Sequence, residues 1–176
     1  MTEAARQDPG SSGGSDDIVE LIMADHRRIA RLSRAVYDTA RHDGRPGPEW
    51  MLGHVWQRLA DLLVAHIQAE EETWYASVSG AGPQSRARLQ DSLADHDGIR
   101  GSLGEASALL VGSAPWWHAV NTVIDATTEH RRREERDLLA GYALGLSMSR
   151  RRELGRQWNA FMAGWESQAS RTDPGR

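Results

Sequence analysis

Two short stretches of the chain repeat one set of residues able to bind a metal. They read Ala65-His66-Ile67-Gln68-Ala69-Glu70-Glu71 and Glu129-His130-Arg131-Arg132-Arg133-Glu134-Glu135, and each sets a glutamate four residues after a histidine. On a helix that spacing stacks both side chains on one face, about one turn apart. Upstream of each stretch lies a second echo, Asp25-His26 before the first and Asp95-His96 before the second. The order His, then His-x-x-x-Glu, therefore occurs twice. Convergent imidazole nitrogens and carboxylate oxygens are ligands for iron, manganese or zinc. Cysteine is absent, which excludes disulfides, thiolate metal sites and cysteine nucleophiles.

The elements that must position these residues are legible from apolar periodicity. Residues 1–16 are polar and aperiodic and read as a disordered tail. A first helix is expected from Asp17, with Glu20 as capping-box partner, and its buried stripe is Ile22, His26, Ile29, Ser33, Val36 and Ala40. Gly44-Arg45-Pro46-Gly47-Pro48 breaks it. A second helix starts near Pro48, with Leu52, Trp56, Leu59, Leu63, His66, Glu70 and Trp74 or Thr73 facing inward. A third runs over 83–111 through Leu89, Leu93 or Ser92, His96, Arg100 or Ile99, Leu103 and Leu110. Gly98, Gly101 and Gly104 share one of its faces, at about 1 kcal/mol each relative to alanine, and could admit a close neighbour or mark an irregular turn.

A fourth helix carries Trp116, Val120, Val123, Thr127, His130, Glu134, Leu138 and Gly141. A fifth, amphipathic helix is expected over 147–168, burying Leu154, Trp158, Phe161 or Met162, and Trp165. No segment reads as a strand. The fold class is all-α: an up-down-up-down four-helix bundle over 17–143, with the extra C-terminal helix capping it, flanking it or joining a dimer.

In such a bundle neighbouring helices run antiparallel. At ~1.5 Å per residue, His26, His66, His96 and His130 then reach within about a turn of one level. Two glutamates in that layer need compensating charge, because a buried carboxylate is costly to desolvate. Six side chains exceed one tetrahedral site. They suit a pair of metals bridged by carboxylates, with positions left for solvent or small ligands such as dioxygen, peroxide or nitric oxide.

Other features read as structural. His42, His54 and His118 are expected at the surface or at caps. Tyr37 is expected to pack in the core, and Tyr75, Tyr142 and Trp74 are weaker candidates for a further ligand or pocket wall. Arg131/Glu135 and Arg133/Asp137 read as i,i+4 pairs on the solvent face. Asp25 and Asp95 either accept from imidazole N–H groups or face solvent. The net charge of −4 gives no reason to expect nucleic-acid binding. No apolar leader or membrane-length stretch is seen, so a cytoplasmic location is the default expectation, as monomer or homodimer. All 21 basic residues are arginine, as expected of a GC-rich bacterial genome.

Asp25-His26, His66-x-x-x-Glu70, Asp95-His96 and His130-x-x-x-Glu134 together resemble the hemerythrin-like, or HHE cation-binding, family, over residues 17 to about 143. The resemblance implies a non-haem di-iron centre bridged by carboxylates and an oxo or hydroxo group. Glu70 and Glu134 would be the bridges, and His26, His66, His96 and His130 the terminal ligands. Two departures stand out. Oxygen-carrying members have a further histidine where this chain has Arg100. They also bridge with an aspartate five residues after the last histidine, where this chain has Glu134 at four. One iron thus has fewer protein ligands, which favours a reactive centre over simple oxygen carriage. Peroxide removal is the leading expectation. The alternatives are a module that binds or senses dioxygen, nitric oxide or iron, and an oxygen-activating enzyme for an organic substrate.

Overall fold

The computed structural model describes residues 16–41, 47–78, 83–143 and 145–172, the side chains of 78, 142–143 and 169–172 excepted. Residues 1–15 of the expected tail, His42 and the Tyr142 side chain lie outside this description. Five helices make up the described chain. They are α1 (Ile18–Ala40), α2 (49–78), α3 (Pro83–Ser107), α4 (114–143) and α5 (Met148–Thr172).

Local chemistry sets the helix starts. Asp17 caps α1 by accepting the Val19 N–H at 3.0 Å. Pro48 precedes the first residue of α2 with an extended ψ of 131°. Ser113 caps α4, ahead of a proline in its first turn. α3 stops at Ser107, short of the expected 111, and Leu110 is 77% exposed rather than part of the inner stripe. Gly112, at φ +80°, supplies the left-handed turn into α4.

α1 packs on α2 and α3 on α4, and the two pairs close into the bundle. α5 lies against α1 and α2, so it flanks the bundle. It comes so close that a Cβ on Gly155 would sit 1.7 Å from the Asp16 carbonyl oxygen. Arg151 fastens the same corner by donating its Nε–H to Asp17 at 2.9 Å. Asp16, expected in the loose tail, is therefore part of the packed structure. Gly98, Gly101 and Gly104 face open space instead of a close neighbour.

The core divides into two apolar clusters. One gathers Ile29, Val36, Leu59, Leu63, Ile99, Trp116 and Val123. The other gathers Ile18, Ile22, Trp74, Leu89, Leu138, Leu154 and Trp158. The histidines and glutamates occupy the layer between them. Two π-helical turns begin in that layer, Glu70–Tyr75 in α2 and Glu134–Leu139 in α4. Each starts at the glutamate of a His-x-x-x-Glu pair, at equivalent points of the two repeats. Wider turns of this kind often mark functional sites in helices. Within them Thr73, Trp74 and Tyr75 of α2, and Leu138 and Leu139 of α4, are buried beside the glutamates.

Candidate metal centre

The six residues singled out by their spacing meet. His26, His66, His96, His130, Glu70 and Glu134 are each at most 2% exposed. Glu70 is central. Its Oε1 lies 3.1 Å from His66 Nε2 and 3.8 Å from His26 Nε2. Its Oε2 lies 3.2 Å from His96 Nε2 and 3.8 Å from His130 Nε2. The two oxygens of one carboxylate thus face two histidine pairs. Two groups able to hold a metal result, His26–His66–Glu70 and Glu70–His96–His130. Glu134 Oε2 reaches one histidine of each pair, at 3.3 Å from His26 Nε2 and 4.0 Å from His130 Nε2.

A metal fits this donor set. Nε2 of His26 and of His66, and both oxygens of Glu70 and of Glu134, are buried without a hydrogen-bond partner. Nε2 of His96 and of His130 face each other at 3.1 Å. Leaving such groups unsatisfied costs about 1–3 kcal/mol each, so protons or cations must supply the missing charge. Nitrogen and oxygen donors without thiolate suit iron, manganese or zinc.

Each outward ring nitrogen faces a further carboxylate, three of them within hydrogen-bond distance. His26 Nδ1 lies 2.8 Å from Glu135 Oε1, and His96 Nδ1 lies 2.8 Å from Glu71 Oε1. His130 Nδ1 lies 3.3 Å from Asp95 Oδ2, and His66 Nδ1 lies 3.6 Å from Asp25 Oδ2. For His26, His96 and His130 a proton on Nδ1, shared with the carboxylate, leaves the Nε2 lone pair free and pointed inward, whereas His66 Nδ1 is too far from Asp25 for a hydrogen bond. Asp95 is therefore a brace, as are Glu71 and Glu135, the second glutamates of the two stretches. Asp25 faces His66 without bonding it.

The braces are held in turn. Arg133 donates to Asp95 at 2.6 Å, and Arg100 donates to Glu71 at 2.7 Å. Arg131 donates to the main-chain carbonyl of His26. These contacts correct the expected solvent-face pairs: Glu135 serves His26, Arg133 serves Asp95, and Asp137 pairs with Arg136 at 2.8 Å. The geometry also explains Arg100. It stands where oxygen carriers have a histidine, but it reaches outward to the brace of His96.

Tyr75, a weaker candidate by sequence, lies at the site. It is 3% exposed, its ring stacks on that of His96 at 5.2 Å, and its hydroxyl lies 3.4 Å from His96 Nε2. Burial and the charges of Glu70 and Glu134 push its pKa well above 10. From the other side Trp158 of α5 packs edge-on against His66 at 5.6 Å. His54 and His118 are exposed, as expected. The Tyr37 hydroxyl donates to Asn121 at 2.8 Å and its ring stacks on Trp117, far from the ligands.

Without metal the cluster is an ion network. Burial lowers the His66 pKa, but the Glu70 charge and the facing carboxylates of Asp25 and Glu70 outweigh it, to about 9. His26 is likewise raised well above 6.5, against the pull of its burial, by Glu134, Glu135 and Glu70. Burial raises Glu70, and the surrounding imidazoles, His66 foremost, reverse that and hold it well below 4.5.

The fold and the site define a class: an all-α bundle with a buried histidine–carboxylate layer for metal ions. The chain belongs to the hemerythrin family, whose model, described as the hemerythrin HHE cation-binding domain, matches residues 17–141. No curated protein and no solved structure matches. Among the described residues no helix is long and apolar enough to cross a membrane.

Proposed function

We propose that the chain holds two non-haem iron ions and reacts with dioxygen or a reduced-oxygen species, with peroxide removal as its leading activity. His26, His66 and Glu70 would hold one iron, and Glu70, His96 and His130 the other, with Glu134 facing one histidine of each pair. The observation that carries this reading is the split of the Glu70 oxygens between two histidine pairs. When bound, paired iron would supply the redox chemistry. The residues supply the rest. Glu71, Asp95 and Glu135 fix the imidazole tautomers of His96, His130 and His26. The apolar clusters on both sides exclude bulk water. The Tyr75 hydroxyl, beside His96 Nε2, is in place to complete the ligand set of the second iron, where Arg100 has replaced a donor.

The burial of all six ligands favours small partners such as dioxygen, hydrogen peroxide or nitric oxide. Gly98, Gly101 and Gly104 face open space on the outside of α3. The test is an optical titration of anaerobic, ferrous-loaded protein with dioxygen and then peroxide, with metal analysis of the same sample. Two irons per chain and rapid peroxide loss are expected. A persistent, reversible optical change with dioxygen and no peroxide loss assigns the chain to binding rather than turnover. A chain that takes up no iron, or a single zinc without optical change, overturns the reading.

A further inference from the structure

We propose that the cleft between α1 and α4, beside the metal centre, binds a small inorganic oxyanion through Arg34, Arg131 and Thr127. The cleft holds a cavity of about 210 Å³ lined by these three residues and by no carboxylate. A neighbouring cavity of about 390 Å³ shares Arg34 and Arg131, adds Arg27 and Arg31, and reaches His26. Its one acid, Glu135, already faces His26 Nδ1 at 2.8 Å. Four arginines thus line the cleft against one carboxylate, which faces His26 and also lies near Arg131 and Arg27, in a chain whose net charge is −4.

Thr127 supplies the independent observation. Helical threonines commonly turn their hydroxyl back to the carbonyl four residues earlier. Thr39, Thr73 and Thr122 do so here, at 2.7, 2.6 and 3.0 Å. Thr127 is 4% exposed and lines the cavity, and its Oγ1 has no partner. The buried Nε of Arg131 also has none, while its Nη1 is anchored on the His26 carbonyl. A hydroxyl donor, a pre-oriented guanidinium N–H and a second, movable guanidinium are a donor set for an oxyanion. Through Arg131 such an anion sits one residue from His130 and one hydrogen bond from His26.

The test is calorimetric titration of the metal-loaded full chain with inorganic phosphate and, separately, nitrite. At least one probe is expected to bind saturably, one per chain. Arg34→Ala, at an exposed position, is expected to weaken that binding by about tenfold or more. Thr127→Val, which keeps the side-chain shape, weakens it severalfold, and Arg152→Ala on the exposed face of α5 leaves it unchanged. The proposal is overturned if neither probe saturates, or if Arg34→Ala and Thr127→Val bind as the unsubstituted chain does, which would place the anion on the metals. Equal weakening by Arg152→Ala would reduce the effect to diffuse charge and overturn it too.

Discussion

The Tyr75 hydroxyl lies 3.4 Å from His96 Nε2, within the 3.1–4.0 Å range that separates the other inward-facing donor atoms of the cluster. In the internal repeat the position matching Tyr75, 64 residues on, is Leu139, so the second half offers no equivalent group. If the phenol joins the second iron, ferric protein will show a visible phenolate-to-iron absorption. Tyr75→Phe should abolish that band while metal content stays at the level of the unsubstituted chain. Survival of the band in Tyr75→Phe would show that another group gives rise to it.

Glu70 and Glu134 are not equivalent, although their sequence motifs are. Glu70 serves both histidine pairs at 3.1 and 3.2 Å, whereas the closest approach of Glu134 is 3.3 Å to His26. Glu70→Ala should therefore lose both metals. Glu134→Ala should keep at least one. Metal analysis after gel filtration decides between this order and its reverse.

The braces should matter nearly as much as the ligands they orient. Glu71→Gln and Glu135→Gln keep shape but remove the charge facing His96 and His26. Metal affinity is expected to fall about 10–100-fold in each, read by competition with a chromophoric chelator. An unchanged affinity would mean that packing alone holds the imidazoles.

The metal-free protein should have a skewed pH dependence. His66 has a pKa of about 9 in the fold against an ordinary 6.5, so its bound proton favours the folded state. That contribution is complete below pH 6.5 and gone above about 9. Glu70 is depressed below its ordinary 4.5, so its contribution is present above pH 4.5 and lost in acid. Thermal unfolding of the metal-free chain should therefore give its highest Tm between pH 4.5 and 6.5, with a decline toward 9. Metal uptake in neutral buffer should release protons, because the ligands must give theirs up. A metal-free Tm that rises from pH 6.5 to 9 would contradict the ion network.

Gly155→Ala tests the seat of α5. The added Cβ would meet the Asp16 carbonyl at 1.7 Å, and backbone cannot yield as a flexible side chain does. A loss of about 1–3 kcal/mol is expected from such overpacking, seen as a lower Tm. Gly164→Ala, where nothing lies within 4 Å, serves as the control and should not lose stability.

The helices and the six inward donors were legible because both depend on spacing along one chain. Every residue of the expected α2 stripe, from Leu52 to Glu70 and on to Thr73 and Trp74, is buried. What spacing could not show was contact between helices. Glu71 and Glu135 sit one step, or about 100°, from a ligand on their own helix, so by that measure they belong to solvent. Each instead braces a histidine of another helix. The π-helical turns were also hidden, because Thr73, Trp74 and Tyr75 are buried in succession but so are Ala65, His66 and Ile67 in the regular part of the same helix, and burial pattern alone does not reveal the widening. That widening is what brings Tyr75 to the site.

The bracing pattern bears on how the centre comes into being. His26 in the first helical hairpin leans on Glu135 in the second, and His96 in the second leans on Glu71 in the first. Glu70, too, belongs to one hairpin and completes the ligand group of the other. Neither hairpin alone carries an oriented set of donors, so full-strength metal capture must wait until both have docked. The ion then acts as a proof-reader of assembly, retained by chains whose two halves have met in register and lost by those whose halves have not.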